Sequence, residues 1–308
     1  MSEIFMPPLP LQTAVLFLVF NRPDLTRQVF EAIRHAKPPR LYVAADGPRA
    51  EREGEAERVE QVRKIATAVD WPCEVKILFR KENLGCKTAV SDGIDWFFKY
   101  EQSGIILEDD CLPAPSFFWF CERMLNKYAS DSRIMMISGT NYLLDIRKEV
   151  SAEFIFSRHF SIWGWATWRR AWETYEVDIE RCESNDHEYI ALNSLDKKFY
   201  EDLIKTSVIG DIDTWDYQWV LNCCFNYGLS ITPSVNLISN IGTEGAHANG
   251  ESINNFMPTK ELELNKIVYP KRIMPNNFHD MLVSIRNRNK KSLPERIFNK
   301  LKNKIFNK

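Results

Sequence analysis

Residues 104–110 read GIILEDD. A short apolar run with two β-branched isoleucines suits a strand covered on both faces, and it steps without transition into Glu108, Asp109 and Asp110. Three adjacent carboxylates at low dielectric repel one another strongly unless something neutralises them. A divalent cation does so directly, and hard oxygen ligands beside a substrate pyrophosphate suit Mg2+ or Mn2+. The same residues also read as a solvated acidic turn or as charge gathered at a helix start. The abrupt strand-to-acid step favours a site. So does the absence of a GxxxxGK[ST] loop or a GxGxxG turn elsewhere to hold phosphate.

Working outward, the chain alternates strand and helix. Upstream, Ala14–Phe20 (AVLFLVF) is a continuous apolar run, broken by Asn21, Arg22, Pro23 and Asp24, after which Leu25, Val29 and Ile33 recur at helical spacing. Leu41–Ala45 stops at Asp46, Gly47 and Pro48; a charged helix spans about 50–69; Glu74–Phe79 alternates as a strand; Asn83, Leu84 and Gly85 open a helix to about Tyr100. Downstream come an aromatic-rich helix over Phe117–Ala129 and a strand over Arg133–Ser138. This β-α-β-α order predicts an α/β fold with an open, mostly parallel sheet and helices on both faces. Ligands bind such sheets beyond the carboxyl ends of the strands, where the clusters at 21–24, 46–48 and 108–110 all fall.

Composition narrows the classes. The chain has 308 residues, enough for one large α/β domain or two small ones, with 44% hydrophobic and 12% aromatic residues. A net charge of −2 gives no reason to expect nucleic-acid binding, and five histidines make a histidine cage unexpected. Seven scattered cysteines without a CxxC pair read as reduced thiols of a cytoplasmic protein. The N-terminal stretch lacks the basic region of a signal peptide, and Ala14–Phe20 is too short to span a bilayer.

The stretch 83–124, NLGCKTAVSDGIDWFFKYEQSGIILEDDCLPAPSFFWFCERM, resembles the GT-A (Rossmann-like) glycosyltransferases. It is most similar to the alpha-1,3-mannosyl-glycoprotein beta-1,2-N-acetylglucosaminyltransferase family and to bacterial surface-polysaccharide transferases. FNRPDLTRQVF near the N-terminus, AADGP, FSIWGWATWRRAWETY and the Trp215–Asp216 pair extend the resemblance over roughly residues 12–250. It implies a metal-dependent, inverting transfer of a sugar from a nucleotide-diphosphate sugar, UDP-sugar favoured, to a hydroxyl of a glycan or lipid-linked glycan acceptor, using Mn2+ or Mg2+. By the same resemblance Arg22 faces the diphosphate, Asp46 accepts the base N–H, and Lys87 lies near the nucleotide. Glu108 and Asp109 hold sugar and ribose hydroxyls, Asp110 coordinates the metal, Trp215 lies against the donor sugar and Asp216 is the catalytic base. His247, in the loop GTEGAHANG, is a further metal or phosphate contact. The chain departs from the family in having EDD where Asp-x-Asp is commoner, and Tyr217 where the relatives have a second acid.

Plainer readings stand beside these. Asp213 competes with Asp216 as base, and a lone histidine such as His247 is often structural. Trp168 and Trp172, at i,i+4 spacing, read as packing, whereas Trp163 and Trp165, flanking Gly164, read either as core or as a sugar-stacking pair. Two other functions compete: a catalytically silent glycan- or nucleotide-sugar-binding protein, and a sugar-1-phosphate nucleotidyltransferase. The latter needs a Gly-rich basic loop after the first strand, where this chain has NRPDLTR.

The domain reading is a catalytic unit over 1–270 and a basic tail over 271–308. Between Arg286 and Lys308 there are nine Lys or Arg and one acid, Glu295, with Leu293, Ile297, Leu301 and Ile305 at four-residue spacing. A basic amphipathic helix of this kind lies on an anionic bilayer, which would place the protein peripherally on the inner face of the cell membrane; a solvated tail is the plainer reading.

Overall fold

The computed structural model describes residues 5–177, 200–205, 213–242 and 257–288. Its centre is an eight-stranded sheet of order β3-β2-β1-β4-β8-β6-β9-β7. Strands β1 (Val15–Val19), β2 (Arg40–Ala45), β3 (Glu74–Phe79) and β4 (Ser103–Glu108) pair in parallel. Beyond β4, β8 (Trp165–Trp168) runs antiparallel to both β4 and β6 (Ile134–Ser138). β9 (Leu229–Pro233) is parallel to β6, and β7 (Phe154–Ser157) closes the edge antiparallel to β9. A small antiparallel pair joins β5 (Cys111–Pro113) to β10 (Ile238–Asn240). The expected mostly parallel sheet is therefore present. The antiparallel β8 is an addition that its tryptophan-rich sequence did not announce.

Side-chain alternation explains why helices cover both faces. Val15, Phe17 and Val19 of β1 point into one core, with Val29 and Ile33 of α1 (Pro23–Ala36), Val62 of α2 (Glu55–Ala66) and Phe117 of α4 (Ser116–Lys127). Leu16 and Leu18 point the other way, into a second core with Ile94 and Phe97 of α3 (Gly85–Phe98) and Trp219 of α6 (Asp216–Phe225). A strand buried on both faces must be apolar at every position, and β1 is. Trp172, in the short α5 (Arg169–Trp172), also belongs to the second core, as its spacing predicted.

The C-terminal boundary expected at 270 needs correction. Helix α7 (Asn277–Arg288) packs Leu282 and Val283 against Leu143, Ile146 and Ile155. Asp280 accepts the Ser157 hydroxyl at 2.6 Å and the Arg158 N–H at 3.2 Å, so residues to at least Arg286 belong to the body. The amphipathic stretch Leu293–Ile305 lies outside the described residues. Among the described residues no helix is long and apolar enough to cross a membrane.

Candidate active site

The carboxyl ends of β1, β2 and β4 lie side by side, because β1 is the common neighbour of the other two. Arg22, just past β1, reaches the acids past β4. Its Nε and Nη2 form a fork on Asp109, while Nη1 donates to Asp110 Oδ2 at 2.9 Å. Asp109 is 3% exposed, and both of its oxygens take part in the fork. Burial alone would lower the pKa of Arg22; Asp109 and Asp110 outweigh it and hold the guanidinium charged. The neutralising charge that the acidic run demands is thus supplied in part by the chain itself. Asp109, expected to hold a ribose hydroxyl, is instead the buttress of Arg22.

Glu108 has a different setting. Its Oε1 is buried and has no hydrogen-bond partner among the described residues. Burial first, then Asp110, Asp216 and Asp109, push its carboxyl well above the usual range, with Arg22 opposing. Such a shift favours the protonated carboxyl, a form that donates as well as accepts a hydrogen bond.

Asp46, at the end of β2, is a loop organiser. It accepts N–H bonds from Gly47 at 2.8 Å and Leu84 at 3.0 Å, and the Asn83 amide at 2.9 Å. These bonds fix the turn into α3. The expected bond to a base N–H gives way to them in this structure, since a carboxylate has only about four acceptor positions and at least three are used. Gly85 follows at φ 81°, and a Cβ there would lie 2.6 Å from Asp213 Oδ2. Asp213 closes the start of α3, accepting the backbone N–H groups of Cys86 at 2.7 Å and Lys87 at 2.8 Å. Lys87 therefore sits, half-buried, at the mouth of the site.

Asp216 opens α6. Its Oδ1 accepts the Thr214 hydroxyl and, at 3.0 Å, the Tyr217 N–H. It lies within electrostatic reach of Glu108, Cys86 and Tyr142, so it faces the same space as the acids of β4. Trp215 does not. It is 2% exposed and stacks on Trp165, with ring centroids 5.7 Å apart and planes at 18°. The expectation that Trp215 lies against a donor sugar is corrected: consecutive residues at a helix start point in different directions, and Trp215 takes the core. Trp165 is core as well. Trp163 remains half-buried, edge-on to Tyr142 at 5.9 Å.

Two participants escaped the sequence reading. Glu55, nearly inaccessible, ties the loop after β2 to the loop after β1, accepting bonds from Arg49 and, at 2.8 Å, from Asn21. Tyr142, in the loop after β6, carries no motif; it lies edge-on to Trp163 and within electrostatic reach of Asp216.

The residues present fit a cation held jointly with a ligand. Among the described residues no group of three or more His, Cys, Asp or Glu is arranged to cage a metal. Asp110 offers hard oxygens, one of which accepts, among the described residues, the weak Cys111 thiol donor at 3.5 Å. Glu108 lies within electrostatic reach of it. Such a partial donor set suits an ion that takes its remaining ligands from phosphate and water. His247 lies outside the described residues.

No protein-family model matches the chain, and no curated protein matches it. Among solved structures, the inositol-1-phosphate CTP transferase from T. maritima aligns with a TM-score of 0.41 at 11% identity, covering 78% of this chain and 93% of that one. Apo UDP-glucose pyrophosphorylase aligns at 0.39 and 10% identity over 74% and 93%. HddC from Yersinia pseudotuberculosis aligns at 0.33 and 11% over 53% and 80%. These likenesses are loose.

Proposed function

We propose that the chain is a divalent-cation-dependent GT-A glycosyltransferase, transferring a sugar from a nucleotide-diphosphate sugar, UDP-sugar favoured, to a hydroxyl acceptor with inversion. The observation that supports the reading is the gathering of carboxylates with Arg22 beyond β4. Arg22 donates to Asp110, and Asp216, which opens α6, lies within electrostatic reach of Glu108. In this reading Asp216 takes the proton of the acceptor hydroxyl. The hydroxyl oxygen bonds to the anomeric carbon as the bond to the diphosphate oxygen breaks, and the electron pair leaves with the diphosphate. Glu108 holds a sugar hydroxyl, and Arg22 and Lys87 meet the diphosphate. Asp110 would hold Mn2+ or Mg2+, whose charge would assist the leaving group. A glycan or lipid-linked acceptor, presented at an anionic membrane surface that the basic tail binds, completes the proposal.

The test is a product assay with UDP-sugars and Mn2+, with and without a panel of glycan acceptors. Acceptor-dependent UDP release is the expected result. The loosely similar structures are named as nucleotidyltransferases, so the assay includes UTP with sugar 1-phosphates. Pyrophosphate release there, with no UDP release from any UDP-sugar, overturns the reading; nucleotide-sugar binding without turnover makes the chain a binding protein.

A further inference from the structure

β3 ends the sheet: among the described residues it pairs with β2 and with no other strand. Glu74 N–H donates to the Pro39 carbonyl at 2.9 Å and Arg80 N–H to the Ala45 carbonyl at 3.0 Å, both on the β2 side. Backbone groups alternate sides along a strand. Lys76 and Leu78 therefore also turn toward β2, while Val75, Ile77 and Phe79 turn their N–H and C=O groups to the outer edge. Helices α2 and α3 pack on β1 and β2, inward of that edge. Ile77, at its middle, is 55% exposed. Proteins commonly blunt such an edge with an outward lysine. Lys76 does not serve in this way. Its ammonium is folded back over its own chain, 4.1 Å from the Tyr100 ring centroid and 3.2 Å from Glu74 Oε1.

We infer that the outer edge of β3 is the interface with a second copy of this chain, paired antiparallel about a two-fold axis at Ile77. The stretch 74–80, EVKILFR, selects that register. With Ile77 opposite its own copy, Glu74 stands opposite Arg80 and Val75 opposite Phe79, at both ends of the ladder. Opposing residues share a face, so opposite charges meet twice, and the apolar strip Val75, Ile77, Phe79 continues into its copy. Each of these outward residues then gives one N–H bond and takes one. Neighbouring registers lose this. An axis at Lys76 sets Lys76 against itself, and one at Leu78 sets Lys76 against Arg80; like charges directly opposite are destabilising. An axis at Val75 or Phe79 keeps the hydrogen-bond phase but pairs only one end of the strand. A single strand pair is a small interface, below about 1,200 Å2, so association should be weak, in the micromolar range. The same patch serves both copies, so the assembly closes at two. Antiparallel pairing also reverses the second sheet. The carboxyl ends of β1, β2 and β4 then open at opposite ends of the joined sheet, and neither candidate site covers the other. This interface is independent of what the site catalyses.

The experiment is sedimentation equilibrium of the full chain from the micromolar to the submillimolar range, with disulfide trapping. The unmodified protein should show a monomer–dimer equilibrium. Ile77→Lys, which sets two lysines against each other at an exposed position, should stay monomeric over the same range with its melting temperature unchanged in dilute solution. Glu74→Arg, which sets Arg against Arg80 on a side chain 58% exposed, should weaken the dimer too, and it serves if Ile77→Lys melts early. Ile77→Cys should give a disulfide-linked dimer under mild oxidation, because self-opposed residues of a hydrogen-bonded pair lie about 5.5 Å apart at Cα, within disulfide reach. Val75→Cys faces Phe79 rather than itself and should not cross-link, and neither should the unmodified chain. A monomer at every concentration leaves the edge to another partner or to water and overturns the inference. A dimer that survives both Ile77→Lys and Glu74→Arg places the interface elsewhere and overturns it as well. Cross-linking of Val75→Cys equal to that of Ile77→Cys overturns the register.

Discussion

Asp213 and Cys86 meet across the mouth of the site, the carboxylate accepting the backbone N–H at 2.7 Å and the neighbouring Lys87 N–H at 2.8 Å. Asp213 is thereby the cap of α3, and Asp216 is left as the carboxylate that faces Glu108. Asp216→Asn should lower turnover by roughly two to four orders of magnitude with nucleotide affinity nearly unchanged, the scale of a lost general base. Asp213→Asn keeps one of the two acceptor oxygens and should instead lower stability by about 1 kcal/mol, the scale of one lost hydrogen bond, and keep most of its turnover. Single-turnover kinetics at saturating donor, with melting curves for both variants, decide; a dead Asp213→Asn beside an active Asp216→Asn would reverse the assignment.

Asp110→Asn should remove the Mn2+ dependence of nucleotide binding while the protein stays folded. The substituted amide keeps one oxygen and loses the charge that both Arg22 and a cation require. The measurement is a thermal-shift series with UDP, with and without Mn2+, since a ligand that binds only the folded state raises its melting temperature by an amount that grows with the ratio of free ligand to its Kd. A manganese-dependent shift that survives in the variant removes Asp110 as the metal ligand.

Trp215 separates core from ligand contact. It stacks on Trp165 and packs beside Trp172 at a centroid distance of 6.3 Å. Trp215→Ala should cost about 3–5 kcal/mol, the range for emptying a buried aromatic position. Denaturant unfolding reads this directly. A variant of unchanged stability with a raised Michaelis constant for the donor would return Trp215 to the sugar.

The Glu55–Arg49 pair predicts an acid-sensitive hinge between the loops after β1 and β2. Hydrogen bonds from Arg49 hold the Glu55 carboxyl at about 2, against an unfolded value of 4.5, with burial opposing. A depressed folded pKa means that the contribution is fully present above the unfolded value and is lost as pH falls from about 4.5 toward 2. Arg49 is 39% exposed, so solvent screening reduces the contribution to about 1–2 kcal/mol. Glu55→Gln should therefore be less stable than the unmodified chain at pH 7, with the difference shrinking below pH 4; a constant difference across that window contradicts the assignment.

Removing Lys290–Lys308 should release the chain from anionic vesicles without loss of turnover on a soluble acceptor. The cut falls beyond Arg286, whose guanidinium donates to the Tyr142 carbonyl, and so spares the described part of α7. Co-sedimentation with vesicles containing phosphatidylserine, compared with neutral vesicles, reads the first expectation. Unchanged co-sedimentation, or loss of the soluble fold, counts against a membrane-binding tail.

The strands and helices were legible because their signals are local. β1 and β4 are apolar runs ended by polar clusters, and β3 was read with its observed limits, Glu74–Phe79. Leu25, Val29 and Ile33 marked α1 by spacing alone. The antiparallel β8 was not legible. Its tryptophans suit a strand or a helix equally, and only pairing with Ser103–Ile106 on one side and Ile137–Ser138 on the other settles its state and direction.

By itself the sequence determined which residues stand at the ends of strands, because burial on both faces demands an unbroken apolar run and the first charges mark where burial stops. It therefore placed Arg22, Asp46 and Glu108–Asp110 at one edge. Which donor each carboxylate meets was decided only by tertiary structure. Asp109 is spent on Arg22 across 87 residues, Asp46 on Asn83 across 37, and Asp213 on Cys86 across 127. The physical reason is that a carboxylate's role depends on the donors and charges within hydrogen-bonding distance of it, and those neighbours are brought together by the sheet order rather than by proximity along the chain.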